Sequence, residues 1–367
     1  MNKTSLILKY FQKKDQLTVK NKDYQKTLSS LFVWLTENDR VDHDVTSKLF
    51  PNRTCTAQII SKDEGILAGL EEIEYLLKTY TELVFKPHLL NGQEFKEKET
   101  IAEISGKSHE ILAYERTILN ILQRLSGIAT TTNKLITLIN MNKQPKIPIS
   151  KTDRPEITSD QVKMRYLEED TRKRDLVGVS EKFGIEAAAM PFIAATRKTP
   201  WMSLDKKAVA VGGGLTHRLN LSDGILIKDN HLEVIKKQYK LKTIEEAIEI
   251  SFRRSDLFGG PTSMDLIEIE VTNEKEAIST INTFQQSQPF NHFNHLAIMF
   301  DNFNPSSVKS LLSNLRNLSD LSSIIFEASG GIDEKNIKEW AKTGVDILSL
   351  GSLTHSVKAS NFSLEII

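Results

Sequence analysis

The 367-residue chain carries 48 basic and 48 acidic residues, so its formal net charge is zero. That balance excludes a globally basic nucleic-acid binder and an acidic tail protein, and any cationic cluster must be a local site. A hydrophobic content of 39% suffices for a packed core, and Cys55, the one cysteine, leaves no disulfide framework and no cysteine zinc site.

The length exceeds a usual single core, so two domains, or one barrel with an appendage, are expected. The first residues, "MNKTSLILKYFQKKDQ", hold no apolar run approaching the roughly 7–15 residues of an export signal. No run approaches the roughly 18 apolar residues of a membrane span. A soluble, reduced, cytoplasmic protein is the expectation.

Residues 1 to about 115 mix short strands and helices around turn signals such as "KDEG" and "NGQE". Cys55 lies in "RTCTAQIIS", which reads as a strand with the thiol packed in a core. From Arg116 to about residue 140, Ile118, Leu119, Ile121, Leu122 and Leu125 fall at helical spacing. Residues 141–190 are rich in proline and charge and break this order. They read as an insertion with one or two exposed helices, either a peripheral elaboration or a lid or interface element.

From about residue 191 the chain alternates strand and helix. "PFIAATRK", "GILIKDN", "DLIEIEV", "HLAIMFDNF", "SIIFEASGG" and "VDILSLGS" are apolar runs that end in polar residues, with helical stretches between the later ones. Right-handed strand–helix–strand crossovers give a parallel sheet, open or closed into a barrel. The C-terminal tips of the runs carry Arg197, Lys228, Glu270, Asp301, Ser329 and Ser352. In α/β barrels that face holds the active site.

Two glycine-rich loops follow successive strands. In "EASGGI", Ser329 with the backbone of Gly330 and Gly331 could cradle a phosphate, and "LGSLTHS", with Gly351 and Ser352, could complete the site. Plain strand–helix turns are the alternative. Arg197, Lys198, His217, Arg218 and Lys228 gather within residues 195–231 and point to a polyanionic small substrate. Glu270 and Asp301 beside a phosphate suit Mg²⁺, with salt bridges to neighbouring cations as the alternative; Glu268 shares the face of Glu270. "GKS" at 106–108 lacks the glycine of a Walker loop, and His217 and His231 lack partners at metal-ligand spacing, so a hydrogen-bonding or structural role suits His231 better.

The segments "YERTILNILQRLSGIAT", "TRKT", "GGGLTHR", "LIKDNH", "EIEV", "MFDNF", "EASGGI" and "GSLTHSVKA", in this order, resemble the quinolinate phosphoribosyltransferase family. "DHDVTS" and "DEGILAG" resemble that family's first domain. The resemblance implies an open α/β barrel at 116–356 and an N-terminal α/β sandwich domain at 1–115, joined by the last residues, 357–367. It implies transfer from phosphoribosyl pyrophosphate to quinolinate, with Mg²⁺, giving nicotinate mononucleotide, pyrophosphate and carbon dioxide. It also implies a homodimer whose sites borrow from the neighbour.

By the same resemblance Arg197, Arg218 and Arg116 grip the quinolinate carboxylates, with Arg116 acting from the partner. Lys198 and Lys228 lie near the carboxylates and the pyrophosphate, and His217 lines the pyridine pocket. Glu270 and Asp301 address the ribose and Mg²⁺, and Ser329, Gly330, Gly331, Gly351 and Ser352 hold the 5-phosphate. Three departures stand out: Ala195 replaces a usual Asp, "PWMSLD" is shorter than the usual loop and lacks its Arg, and Thr216 stands where Asn is common. A relative acting on another heterocyclic acid and a non-catalytic ligand-binding paralogue are the other readings of this pattern.

Overall fold

A computed structural model describes residues 2–140, 190–253, 265–287, 293–318 and 321–367. The expected 141–190 insertion lies, apart from its last residue, outside the described residues. Apolar periodicity sets the elements of the first half. They are α1 (Lys3–Phe11), α2 (Lys22–Asp39), β1 (Thr54–Ser61), β2 (Gly65–Ile66), α3 (Leu70–Tyr80), β3 (Val84–Pro87), β4 (Glu94–Phe95), β5 (Thr100–Lys107) and α4 (Ser108–Asn140). β1 alternates as a half-buried strand must, with Ala57, Ile59 and Ser61 inward. Cys55 packs against the core from the same strand.

α4 begins eight residues before the start read from the sequence. Ile111 already lies on its buried face, and Ser108 hydrogen-bonds back to the segment before β1, so the helix starts directly where β5 ends. Arg116 is therefore two turns inside the helix.

The second half supplies β6 (Phe192–Ala195), α5 (Ser203–Val211), β7 (Ile225–Ile227), α6 (Asp229–Gln238), α7 (Ile244–Arg253), β8 (Leu266–Val271), α8 (Glu274–Ser287), β9 (His295–Asp301), α9 (Pro305–Leu318), β10 (Ile324–Ser329) and β11 (Ile347–Leu350). The six strands pair in the order β6-β11-β10-β9-β8-β7, all parallel. β8 is buried on both faces, as expected of a strand covered by helices outside and side chains inside. Among the described residues β6 and β7 do not pair with each other, so the barrel is open. Its curvature still brings Ala194 of β6 and Leu266 of β8, three strands apart between them, into one cluster with Ala297, Ile325 and Ile347. Leu6, Ile7 and Phe11 of α1 fill that cluster, so α1 sits on the floor of the barrel, at the N-terminal ends of the strands.

The last strand, β12 (Phe362–Ile366), leaves the barrel and pairs antiparallel with β1, from Ala57↔Ile366 to Ser61↔Phe362. It completes a four-stranded sheet, β12-β1-β5-β3, against which α3 and α4 pack, with α2 resting on those helices. On the way it passes so close to α4 that a side chain at Gly127 would meet the carbonyl of Lys358 at 2.2 Å. Among the described residues no helix is long and apolar enough to cross a membrane.

A buried ion pair joins α4 to the barrel, in addition to the exposed pair of Lys134 with Glu334 at 2.8 Å. Arg124 donates to both carboxylate oxygens of fully buried Asp205, each at 2.8 Å, and to the carbonyl of Thr354 at 2.8 Å. Asp205 also accepts from the Thr199 hydroxyl and from the Trp201 N–H, while Thr354 Oγ1 donates to the carbonyl of Lys198. The loop bearing Arg197 and Lys198 is thus tied from both sides, and Trp201 of the "PWMSLD" segment lies under the Arg124 guanidinium. Removing one partner of such a pair leaves an uncompensated buried charge. Arg124→Ala is expected to lower unfolding stability by about 3–5 kcal/mol, measurable by urea titration, whereas a loss within error of zero would show the pair to be dispensable.

Candidate active site

The strand order turns the sequence motifs into a row. Arg197 and Lys198 follow β6, Gly351 and Ser352 follow β11, and Ser329, Gly330 and Gly331 follow or end β10. Asp301 ends β9, Glu270 lies near the end of β8, and Lys228 follows β7. All ten stand at one end of the barrel. Arg116 does not join them: it is exposed on α4 and pairs with Glu115 at 3.4 Å.

The glycine loops have the backbone that an anion cradle uses. Gly330 (φ +87°) and Gly331 (φ +64°) are both left-handed. A Cβ at Gly330 would strike Asn302 Oδ1 at 2.3 Å, whereas one at Gly331 would meet nothing within 4 Å. The first glycine is required by packing, and the second faces open space. A Cβ at Gly351 would lie 3.1 Å from Cδ of Lys198, so the lysine lies across the second loop.

The acids differ in surroundings. Glu270 is buried and ion-paired with Lys228 from the adjacent strand. Asp301 is half-buried and accepts from the Asn302 side chain at 2.8 Å. His231 Nδ1 accepts from the Lys228 N–H at 2.9 Å, which caps α6 and fixes the lysine's backbone.

Beneath the row, Thr216, His217 and Arg218 form a buried turn. His217 is left-handed (φ +53°), an unusual state for a side chain of this size. Its Nδ1 accepts from the Arg218 N–H at 2.8 Å, which places the ring proton on Nε2. Nε2 lies 3.5 Å from Glu268 and 3.3 Å from Glu327, both buried. Burial disfavours the imidazolium, but Glu327 and then Glu268 outweigh it and push the His217 pKa up to about 9; the N–H held against Nδ1 opposes that second proton. Glu268 is itself held above the ordinary carboxylate range by burial and then by Glu327.

Lys206 of α5 completes the turn. It is almost fully buried and donates to the carbonyls of Thr216 (2.6 Å) and Arg218 (2.8 Å), the two residues flanking His217. Burial, and next the charge of Arg197, lower its pKa to about 7. Arg218 donates to the Gly224 carbonyl at 3.0 Å. Its pKa is lowered, first by burial, with Glu268 opposing and Arg197 adding to the effect. Three cations therefore stand in one another's fields.

Sequence reading missed Lys206, Glu327, Arg124 and Asp205. Glu327 was in view as the first letter of "EASGGI", two residues before Ser329 and so on the same strand face. Lys206 had no signal, since "DKK" reads as a solvated helix surface. His217, Glu268 and Glu327 place ligand atoms within 4.8 Å of one another, a grouping that spacing along the chain conceals.

Comparison with known proteins agrees with this geometry. Residues 183–365 match the family described as "Quinolinate phosphoribosyl transferase, C-terminal domain", and residues 44–126 match its "N-terminal domain". A probable nicotinate-nucleotide pyrophosphorylase [carboxylating] of Bacillus subtilis is 31% identical over 334 residues, 88% of each chain. Its counterpart in Archaeoglobus fulgidus is 30% identical over 332 residues, 88% of this chain and 98% of that one. The solved nicotinate-nucleotide pyrophosphorylase of Francisella tularensis superposes with a TM-score of 0.66 at 26% identity, covering 93% of this chain and 96% of that one. With both domains matched, a barrel of the same fold and the motifs gathered at one end of it, the chain belongs to the quinolinate phosphoribosyltransferase family.

Proposed function

We propose that this chain transfers the phosphoribosyl group of phosphoribosyl pyrophosphate to quinolinate with loss of carbon dioxide, a step that makes nicotinate mononucleotide for NAD synthesis. The observation that carries this reading is the gathering of Arg197, Lys198, Lys228 and the two glycine loops at one end of the barrel, above buried Arg218, a setting that suits a dianionic ring beside a polyphosphate. Quinolinate is such a ring. Arg218 grips a carboxylate from within the barrel, and Arg197 does so from the exposed rim.

The pyridine nitrogen is the nucleophile. It attacks C1 of the ribose as the C1–oxygen bond to pyrophosphate breaks, so no protein nucleophile is needed. Ser329, Gly330, Gly331, Gly351 and Ser352 hold the 5-phosphate, and Lys198, lying across Gly351, and Lys228 face the departing pyrophosphate. Glu270, kept in place by Lys228, addresses the ribose. The adjacent carboxylate then departs as carbon dioxide, the pair of the broken C–C bond stays on the ring carbon, where the neighbouring positive nitrogen stabilises it, and that carbon takes a proton from water. His217, with Nε2 3.3 Å from Glu327 and 3.5 Å from Glu268, stiffens the floor of the pyridine pocket.

Two carboxylates on neighbouring strand tips beside a phosphate cradle form a donor set suited to Mg²⁺, which takes one or two carboxylates plus phosphate oxygens. Asp301 is accessible, while Glu270 shares its charge with Lys228. When bound there, Mg²⁺ would neutralise charge on the leaving pyrophosphate.

The reading includes a homodimer. Arg116 is exposed on α4 and pairs only with Glu115 among the described residues, and the elements packed on its half of α4 expose Trp34, Val45, Leu49, Phe50 and Leu112. A second copy of the chain suits such a surface, and a two-fold interface would carry Arg116 into the partner's site.

Arg218→Ala is expected to cost roughly 2–5 kcal/mol of quinolinate binding, because a desolvated carboxylate loses its charged partner; calorimetric affinity close to that of the parent would remove this assignment. Turnover should vanish in excess chelator and return with Mg²⁺ or Mn²⁺, and Asp301→Asn should impair metal-dependent turnover more than quinolinate binding. Full activity in chelator would end the Mg²⁺ role. Arg116→Ala and Arg197→Ala homodimers should each be nearly inactive, yet a mixture allowed to exchange subunits should regain about a quarter of the sites, since isologous dimers assort statistically. A mixture as inactive as its parents despite proven exchange would show that Arg116 does not act across the interface.

A further inference from the structure

We propose that α1 is a positioning element of the active site: from the barrel floor, Phe11 holds His217 in its left-handed conformation and thereby sets the pyridine-dicarboxylate pocket. The inference rests on the reading that His217 and Arg218 face quinolinate.

A histidine at φ +53° must be held there by its surroundings. The end of α1 supplies much of that hold. The His217 N–H donates to the Phe11 carbonyl at 2.8 Å, and Thr216 Oγ1 donates to the same carbonyl at 3.2 Å. The Lys13 N–H donates in turn to Thr216 Oγ1 at 2.8 Å, and Gln12 reaches the Gly214 carbonyl at 3.2 Å. The Phe11 ring meets the His217 ring edge-on, with centroids 4.9 Å apart and planes at 76°. Three of the four positions of the 214–217 turn, Gly214, Thr216 and His217, are thus hydrogen-bonded by residues 11–13.

The rest of α1 anchors this contact. Lys3 pairs with Asp346 at 2.8 Å, and Lys9 pairs with Asp265 at 3.2 Å. Tyr10 donates to Asp265 and packs against His295, with centroids 5.9 Å apart. These three partners precede or begin β11, β8 and β9, so the helix is pinned around the floor at three strands. Leu6, Ile7 and Phe11, at most 3% exposed, plug the space between. A nine-residue helix is not stable alone, so its order comes from the barrel, and the barrel's turn takes its shape from the helix. α1 lies at the end opposite the strand tips and acts on substrate only through His217 and its neighbours.

The test uses the full chain with Phe11→Ala, Phe11→Leu and Asp265→Asn, the last loosening α1 only at its Lys9 and Tyr10 contacts on the floor. Quinolinate affinity is measured by calorimetry, both KM values and kcat by turnover, folding by melting, and the protection of the His217 amide by hydrogen exchange. Phe11→Ala should weaken quinolinate binding about tenfold or more and speed exchange at His217, with KM for phosphoribosyl pyrophosphate within about twofold, because a shift of about 1 Å in a positioning group carries losses of this order. Phe11→Leu should recover most of the binding. A folded Phe11→Ala chain with unchanged affinity and unchanged protection overturns the proposal, as does equal weakening of both substrates. If Phe11→Ala does not fold, Asp265→Asn should show the same split between substrates, and its absence there is equally fatal. Should the parent chain itself bind no quinolinate, the functional reading fails, and exchange at His217 still decides whether Phe11 holds the turn.

Discussion

His217 stands between two buried carboxylates, and the arrangement of the barrel interior follows from keeping that group intact. Glu268 and Glu327 share a low-dielectric space in which either one alone would be costly to leave unpaired. The protein answers with His217 Nε2 within 3.5 Å of both and with the charges of Arg218 and Lys206 acting on them. The inner acids thereby offset part of the inner positive charge. Positive charge at the rim, on Arg197 and Lys198, is left to meet anions from solution.

This explains the layering. The floor is apolar, with α1 covering Ala194, Leu266, Ala297, Ile325 and Ile347. Two residues further along the same strands come Glu268, Met299, Glu327 and Ser349. Two further still come Glu270, Asp301, Ser329 and Gly351, at the mouth. The strand period of two stacks these rows in register, so each of β8 to β11 contributes a floor, a middle and a mouth position. Water is kept from the middle layer by the layer below it, which strengthens the electrostatics of the layer above.

The outline of this arrangement was present in the sequence. Six apolar runs with polar tips predict a parallel sheet whose C-terminal edge carries the site, and each run proved to be a strand. What could not be read locally depends on contacts across the fold. α1 has too short an apolar run to announce itself, and its partner turn lies some two hundred residues away. Lys206 and Lys207 are adjacent and alike in sequence, yet one enters the barrel and the other pairs with Glu71 on α3. Helical geometry turns successive residues about 100° apart, and only the packing of α5 decides which lysine points inward. Arg124 likewise reads as one cation on an amphipathic helix until Asp205 is brought against it. α4 starts earlier than its apolar pattern marks, because Ser108 joins β5 directly to the helix through hydrogen bonds to Pro51 and Arg53 that lie far off in sequence.

α4 then acquires a meaning that its apolar face alone does not give. Arg124 ties the Lys198 loop of its own barrel, and Gly127 admits the chain returning to β12. Arg116 is eight residues earlier, about 12 Å along the same rigid rod, on the exposed face. In the proposed dimer one helix would therefore serve two sites at once, bracing the loop of its own and lending a guanidinium to its partner's. Because a packed helix moves as a unit, a shift of the interface would be transmitted to the Lys198 loop through Arg124 and Asp205. The reaction has no protein nucleophile to align, so its demands fall on the placement of charges. A single rod that sets the distance between charges in neighbouring sites meets that demand without further parts.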